Sequence, residues 1–264
     1  MPILFSKVKK QLSFHKLAVF FVFAIPAQAI LAGVSIGISP PRFELHANSS
    51  DIVKKTLTVY SVANKPQYFT VKTADWTFDT NNQVAFKDEI NADSCRPWVF
   101  LERHQITVAP KKNRKFRFEI HVPENAQSKE CRFALILENT QPNIASAKGF
   151  SLPAKAQIGV IVYLKVNGAQ SILSIESIDK YNNLPLLTIS NQGNAHGRLS
   201  GILSASTADK KQIDLSVQTA PILPNTTRKI RLTPAAKAAL KYPITLTGEL
   251  YWEDQSFIIN QTVQ

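Results

Sequence analysis

The sequence predicts an all-β protein built from two successive immunoglobulin-like β-sandwich domains. Apolar and polar residues alternate with period 2 through most of the chain, and no helical period holds for long. Short alternating runs recur roughly every 8–12 residues, punctuated by Pro, Gly, Asn and Asp, which is the spacing of sandwich strands. The 264 residues suffice for one large or two ordinary domains, and Val166-Asn167-Gly168 reads as a hinge between two sets of runs. The expected divisions are a leader over 1–29, a first domain over 30–165 and a second over 166–264.

Residues 1–29 look like a secretory signal: a basic segment with Lys7, Lys9, Lys10 and Lys16, an apolar core over 17–25 (LAVFFVFAI), and Pro26-Ala27-Gln28-Ala29 ending in a small-x-small cleavage pattern. Cleavage is expected before Ile30. The alternative is an uncleaved anchor running through 30–38, which Pro26, Gln28, Gly33 and Ser35 weaken. Removing the four leader lysines lowers the formal charge from +12 to about +8. The remaining lysines are dispersed except at 111–115 (KKNRK), which sits between two runs and reads as a solvated turn; no aromatic-basic pattern points to nucleic acid. Export to an oxidising compartment makes Cys95 and Cys131, the two cysteines of the chain, an expected disulfide. Asn48, Asn225 and Asn260 fit a glycan acceptor pattern that matters in a eukaryotic secretory route alone.

In the first domain, residues 34–45 (VSIGISPPRFEL) read as a strand interrupted by Pro40-Pro41, which predicts a sheet edge or a switch between sheets. Strands follow over 54–61, 68–78, 98–101, 106–108, 116–122 and 132–138, with Trp76 an expected core aromatic. Cys95 and Cys131 do not flank Trp76 as the cysteines of an antibody domain flank its tryptophan, so the sandwich reading rests on strand count. Residues 139–149 form a loop rich in small and polar residues. Residues 150–164 (FSLPAKAQIGVIVYL) then carry an apolar residue at every second position, from Phe150 through Leu152, Ala154 and Ala156 to Leu164. One strand of that length would span on the order of 50 Å, longer than usual. Pro153 places at least its first half at a sheet edge. A long apolar edge is either covered by its own loop or kept for pairing with a partner.

The second domain reads as strands over 171–178, 184–190, 197–204, 212–217, 228–232, 244–252 and 256–262, with turns at 191–194 and 220–225 and a short helical turn at 235–240. No nucleophile elbow, zinc-helix motif or Gly-rich phosphate loop occurs, and the sequence gives no enzyme, metal or cofactor reading. His15, His46, His104, His121 and His196 lie near no clustered acid or cysteine in sequence, and each reads as a surface or structural residue.

The order of these signals resembles the PapD-like periplasmic chaperones of the chaperone–usher pathway. The residues that carry the resemblance are Ser39-Pro40-Pro41-Arg42-Phe43-Glu44-Leu45, Leu57-Thr58-Val59 leading to Asn64, Trp98-Val99, Ile106-Thr107-Val108-Ala109-Pro110, Val122-Pro123, the run 131–138 (CRFALILE) and the long strand. It covers about 30–165 well and 166–264 by pattern, and the SPPR opening looks most like the archaic branch. The resemblance implies two sandwiches set as an L around a cleft, in the periplasm. It also implies that the edge strand, through Phe150, Leu152, Ala154 and Ala156, completes pilin subunits that lack a strand before an outer-membrane usher takes them. Small Ala154 and Ala156 would leave room for exchange with a tighter donor. In the family, an arginine of the first strand and a lysine of the long strand anchor the subunit's terminal carboxylate. Arg42 matches the first. The lysine position falls on Gly159 or Ile161, and Lys155 lies on the same face but earlier, so either Lys155 substitutes by a shift, Arg42 works alone, or the chain has left the chaperone role. No nucleic acid or small-molecule substrate is implied, and the edge also offers a surface for self-association. The alternative is an exported adhesion or structural sandwich protein whose long strand is core.

Overall fold

Proline sets the first turn of the architecture. Strand β1 (Ile36–Ser39) pairs antiparallel with β3 (Ile52–Ser61) in one sheet, whereas β2 (Arg42–Ala47) belongs to the other. Pro40 and Pro41 lie between them, and a residue without an N–H cannot extend either ladder. The expected switch between sheets is therefore what the chain does. The computed structural model describes residues 35–79, 83–141, 143–147, 150–154, 157–234 and 238–264, with the backbone alone described for 143–147 and 150–154. The leader lies outside the described residues, and Val34–Gln264 is one compact unit.

The first sandwich continues with β4 (Gln67–Phe78), β5 (Val84–Lys87), a 3-10 turn at Arg96–Trp98, β6 (Val99–Leu101), β7 (Gln105–Val108), β8 (Asn113–His121), β9 (Glu130–Asn139), β10 (Asn143–Ala147), β11 (Phe150–Ala154) and β12 (Gln157–Val166). One layer runs β1-β3-β8-β6; the other runs β2-β12-β9-β4-β5, with β7 also on β4. Period-2 alternation fills the space between them. Phe43 and Leu45 of β2, Leu57 and Val59 of β3, Phe116, Phe118 and Ile120 of β8, and Phe133, Leu135 and Leu137 of β9 are buried in one cluster. Phe118 meets Phe43 edge-on at 5.3 Å between centroids. Each fully buried aromatic or leucine there adds roughly 1.5–3 kcal/mol of transfer free energy.

The second half contains β13 (Leu173–Tyr181), β14 (Leu184–Asn191), β15 (Gly197–Arg198), β16 (Ser200–Ser206), β17 (Gln212–Val217), β18 (Pro221–Ile222), β19 (Thr226–Pro234), β20 (Ile244–Trp252) and β21 (Gln255–Val263). It encloses its own core around Leu187, Ile189, Leu199, Leu203 and Leu250. Its two layers are continuous: β19 pairs with β14 over Thr226–Arg231 and with β17 over Leu232–Pro234, so the sheet order is β13-β14-β19-β17-β16-β20-β21.

Four sequence expectations can be set beside the structure. The run over 150–164 is two strands. From Gln157↔Glu138 to Ala154↔Asn143 one arm advances three residues and the other five, so the two ladders differ in register by two residues. Trp76 is buried outside the main core. The expectation that it is a core aromatic holds, in a second cluster on the outward face of its sheet with Ala134, Ile136 and Tyr163, against which Leu223 of the second half packs. Val166-Asn167-Gly168 is a pinned turn: Asn167 and Gly168 take φ of +49° and +72°, and the Asn167 amide donates to Ser49 Oγ and Ala126 O while its Oδ1 accepts from Ser49 N. The helical turn expected at 235–240 falls partly outside the described residues, and no α-helix occurs among them. The basic run straddles a boundary, with Lys111 and Lys112 in the turn and Asn113–Lys115 opening β8, all exposed.

Cys95 and Cys131 form the expected disulfide, with Cα atoms 5.4 Å apart and both residues buried. It ties the loop before the 3-10 turn to the start of β9. Reduction, or replacement of both residues by Ala, is expected to lower unfolding free energy by about 3–4 kcal/mol in denaturant titration. A loss near zero would mean that closing this loop constrains nothing.

Candidate functional site: an open strand edge beside a charged cleft

β12 is covered unequally on its two sides. β9 pairs with it from Gln157 to Lys165, but β2, running parallel, covers Ile161–Val166 alone. The register begins at Arg42↔Ile161 because the residues before Arg42 are the two prolines that carry the chain to the other sheet. Gln157–Val160 therefore have no strand on that side among the described residues. β10 and β11 form a separate two-stranded hairpin, each pairing with the other alone among the described residues. Along β12 itself, Ile158 and Val160 turn into the core. Gly159 faces the other way, under the ring of Phe86, which a side chain at that position would have to displace.

Below this edge lies a cavity of about 490 Å³, lined by β2, β12, β15 and the Glu253–Asp254 turn between β20 and β21. Alternation on β2 buries Phe43 and Leu45 and turns Arg42, Glu44 and His46 outward, beside Ile161, Tyr163 and Lys165 of β12. Glu44 Oε1 accepts from Arg42 Nε at 2.7 Å and from Arg198 Nε at 3.0 Å, and His196 Nε2 lies 3.8 Å away. Arg198 also donates to the Tyr163 hydroxyl at 3.2 Å and sits over its ring. The His196 ring stacks on Tyr163 at 4.0 Å, and its Nδ1 is 2.5 Å from Glu130 Oε2, which also accepts the His196 backbone N–H. Lys165 pairs with Glu253.

Glu130 is buried, and a buried carboxylate without partners would cost several kcal/mol. His196 and the Arg132 guanidinium, 3.5 Å from Oε1, supply the compensation. His196, then Arg42 and Arg198, hold the Glu44 carboxyl well below its ordinary 4.5 against the opposing effect of partial burial. Burial pushes the Tyr163 phenol up to about 12, so it remains a neutral acceptor for Arg198. Chemically, the arrangement is a set of matched charges joining the two sandwiches. No group of three or more metal-ligating side chains occurs among the described residues.

The residues singled out from sequence are distributed as follows. Arg42 is half-exposed at the mouth of the cleft and already engages Glu44. Opposite it stands Ile161, at one of the two positions expected for a lysine. Lys155 and Ala156 lie outside the described residues. Phe150, Leu152 and Ala154 are in β11, with their side chains outside the description. His196, read from sequence as distant from any acid, is enclosed by Glu44 and Glu130, which are 152 and 66 positions away in the chain. The traces these residues leave in sequence are charges inside otherwise apolar strands: Glu44, Glu130 and Lys165.

No family model and no curated protein sequence matches the chain at a significant level. Among solved structures, a chaperone–tip adhesin complex of CFA/I fimbriae biogenesis is similar at 13% identity and TM-score 0.47, over 86% of this chain and 99% of that one. The YadV chaperone is similar at 9% identity and TM-score 0.48, over 87% and 98%. The CsuC–CsuE chaperone–tip adhesion subunit pre-assembly complex, from the archaic chaperone–usher Csu pili of Acinetobacter baumannii, is similar at 12% identity and TM-score 0.47, over 88% and 100%. The resemblance is to pilus-assembly chaperones. At these identities and scores no activity, partner or residue's role is carried across.

A carboxyl held below its ordinary value stabilises the fold above that value and loses its contribution as pH falls toward the depressed one. Glu44→Gln is therefore expected to lower the thermal midpoint at neutral pH, and the gap to the unaltered protein should narrow below about pH 4.5. Because Glu44 is substantially exposed, the neutral-pH cost should be on the order of 1 kcal/mol after solvent screening. A gap that stays constant into strong acid would mean the Glu44 charge does not stabilise the contact.

Proposed function

We propose that the chain is an exported, periplasmic assembly chaperone, with no enzymatic step, that binds incomplete β-sandwich subunits of the pilin type and passes them to an outer-membrane usher. One observation carries the reading: β12 has no pairing strand on one side over Gln157–Val160 among the described residues, and β11, just before it in sequence, pairs with β10 alone. A subunit that lacks a strand exposes an apolar groove and unpaired backbone groups. An edge of this kind supplies both remedies, main-chain hydrogen bonds for affinity and alternate side chains for the groove. Phe150, Leu152, Ala154 and Ala156 are the proposed contacts, and Lys155 is proposed to stand in for the missing anchoring lysine. Arg42 is the proposed anchor for the guest's terminal carboxylate. Its Nε is held by Glu44, which leaves the two terminal nitrogens for an incoming anion. The function needs no cofactor.

A second reading, an exported adhesion or structural protein, finds support in the cleft itself, where Arg42, Arg198 and Lys165 are all paired with carboxylates of the same chain. One experiment separates the two. Co-expression with fimbrial subunits encoded beside this chain should give a soluble one-to-one complex. Leu152→Glu should abolish it, because a large apolar contact is worth about 1.5–3 kcal/mol and the substitution also buries a charge. Arg42→Ala should lower subunit yield. An intact complex with Leu152→Glu would remove β11 as the contact, and no complex with any such subunit would favour the second reading.

A further inference from the structure

The strand edges of this molecule are not alike. In the first sandwich, β1 has four residues and runs into Pro40-Pro41, β5 has four and carries Lys87, β6 has three, and β2 turns Arg42, Glu44 and His46 outward. In the second, β13 carries Glu176, Asp179 and Lys180 and is bulged between Ile175 and Ser177. Short length, charge, proline and bulges are the usual means of keeping an edge from pairing with another chain. The opposite edge of the same sheet, β21, has none of them. It is nine residues long, reads QSFIINQTV without a charge or a proline, and pairs with β20 alone, from Ile244↔Val263 to Trp252↔Gln255. Its outward face carries Ile258, which is 85% exposed. In the same row across the sheet come Glu249 of β20 and Ile202 of β16, itself 63% exposed.

We propose that β21 is a homodimer interface, pairing antiparallel about a twofold axis with β21 of a second copy. The occupant follows from the strand's own chemistry. A partner must present an edge as free of charge and proline as this one, and a second copy does so by identity in a closed, isologous contact. Centred on Ile258, the pairing sets Ile258 against its counterpart, Phe257 against Ile259, Ser256 against Asn260 and Gln255 against Gln261, with no charge opposite a like charge. The charges at its ends are already engaged within each copy, Glu253 with Lys165 and Lys241 with Asp209, so the pairing rests on the strand itself. The strands it uses are not those of the edge at β10–β12.

The processed full-length protein should sediment as a dimer at micromolar concentration. Ile258→Lys should weaken the dimer about tenfold or more while leaving the circular dichroism spectrum and thermal midpoint unchanged. Directly opposed positions bring Cβ atoms to roughly 4.5–5.5 Å, close to the span of a disulfide. Ile258→Cys should therefore give a covalent dimer on mild oxidation, the two native cysteines being already joined; Tyr251→Cys, one strand further in, should not. Leu152→Glu should leave the dimer intact. A monomer throughout, a dimer indifferent to Ile258→Lys, a thiol at 258 that stays free, or a dimer lost with Leu152→Glu would each overturn the proposal.

Discussion

Proline's missing N–H is the constraint on which the rest of the first sandwich depends. Pro40 and Pro41 cannot extend β2 upstream, so its parallel pairing with β12 starts at Arg42↔Ile161 and the chain leaves for the opposite sheet. Had the first strand stayed in one sheet, it would have covered Gln157–Val160 and closed the edge. The same two residues thus build both layers of the sandwich and keep one side of β12 without a strand. The position of Arg42 at the mouth of the cleft follows directly, since it is the first residue after the switch that can join the ladder.

The cleft shows how two sandwiches are joined without a long apolar seam. Glu130 is buried at the start of β9, and its cost is met by His196 and Arg132. Glu44 gathers Arg42 and Arg198, with His196 alongside, and Lys165 takes Glu253. Asn167 and Asn194 add hydrogen bonds from the turn and the neighbouring loop to Ser49, Ala126 and Ser128. Breaking one member leaves another buried and unpaired, so this polar set fixes the junction more by penalty than by net attraction. Trp76, Tyr163 and Leu223 add an apolar contact beside it.

Much of this was legible in the chain. RFELHA in β2 and FRFEIH in β8 announce their buried faces by alternation alone, and the proline pair announces the switch of sheets. What could not be read has a common cause: it depends on a partner distant in sequence. Residues 150–164 keep period 2 throughout, because the two-residue change of register between the two ladders belongs to the pairing with β9 and β10 rather than to the strand. Trp76 is buried because the second half covers a face that alternation alone would leave to solvent. His196 gave no signal of the carboxylates around it. Gly159, one of the two positions expected for the lysine, lies under the Phe86 ring instead.

The central claim is that the backbone of Gln157–Val160 is open on the side that β2 does not reach. Residue-resolved amide hydrogen exchange on the guest-free protein tests it most directly. Amides of Ile161–Val166, flanked on both sides, should be protected throughout, whereas alternate amides over Gln157–Val160 should exchange many-fold faster and become slow when a guest subunit binds. Uniform protection across Gln157–Val166 without a guest would contradict the account, because it would mean that the edge is already closed.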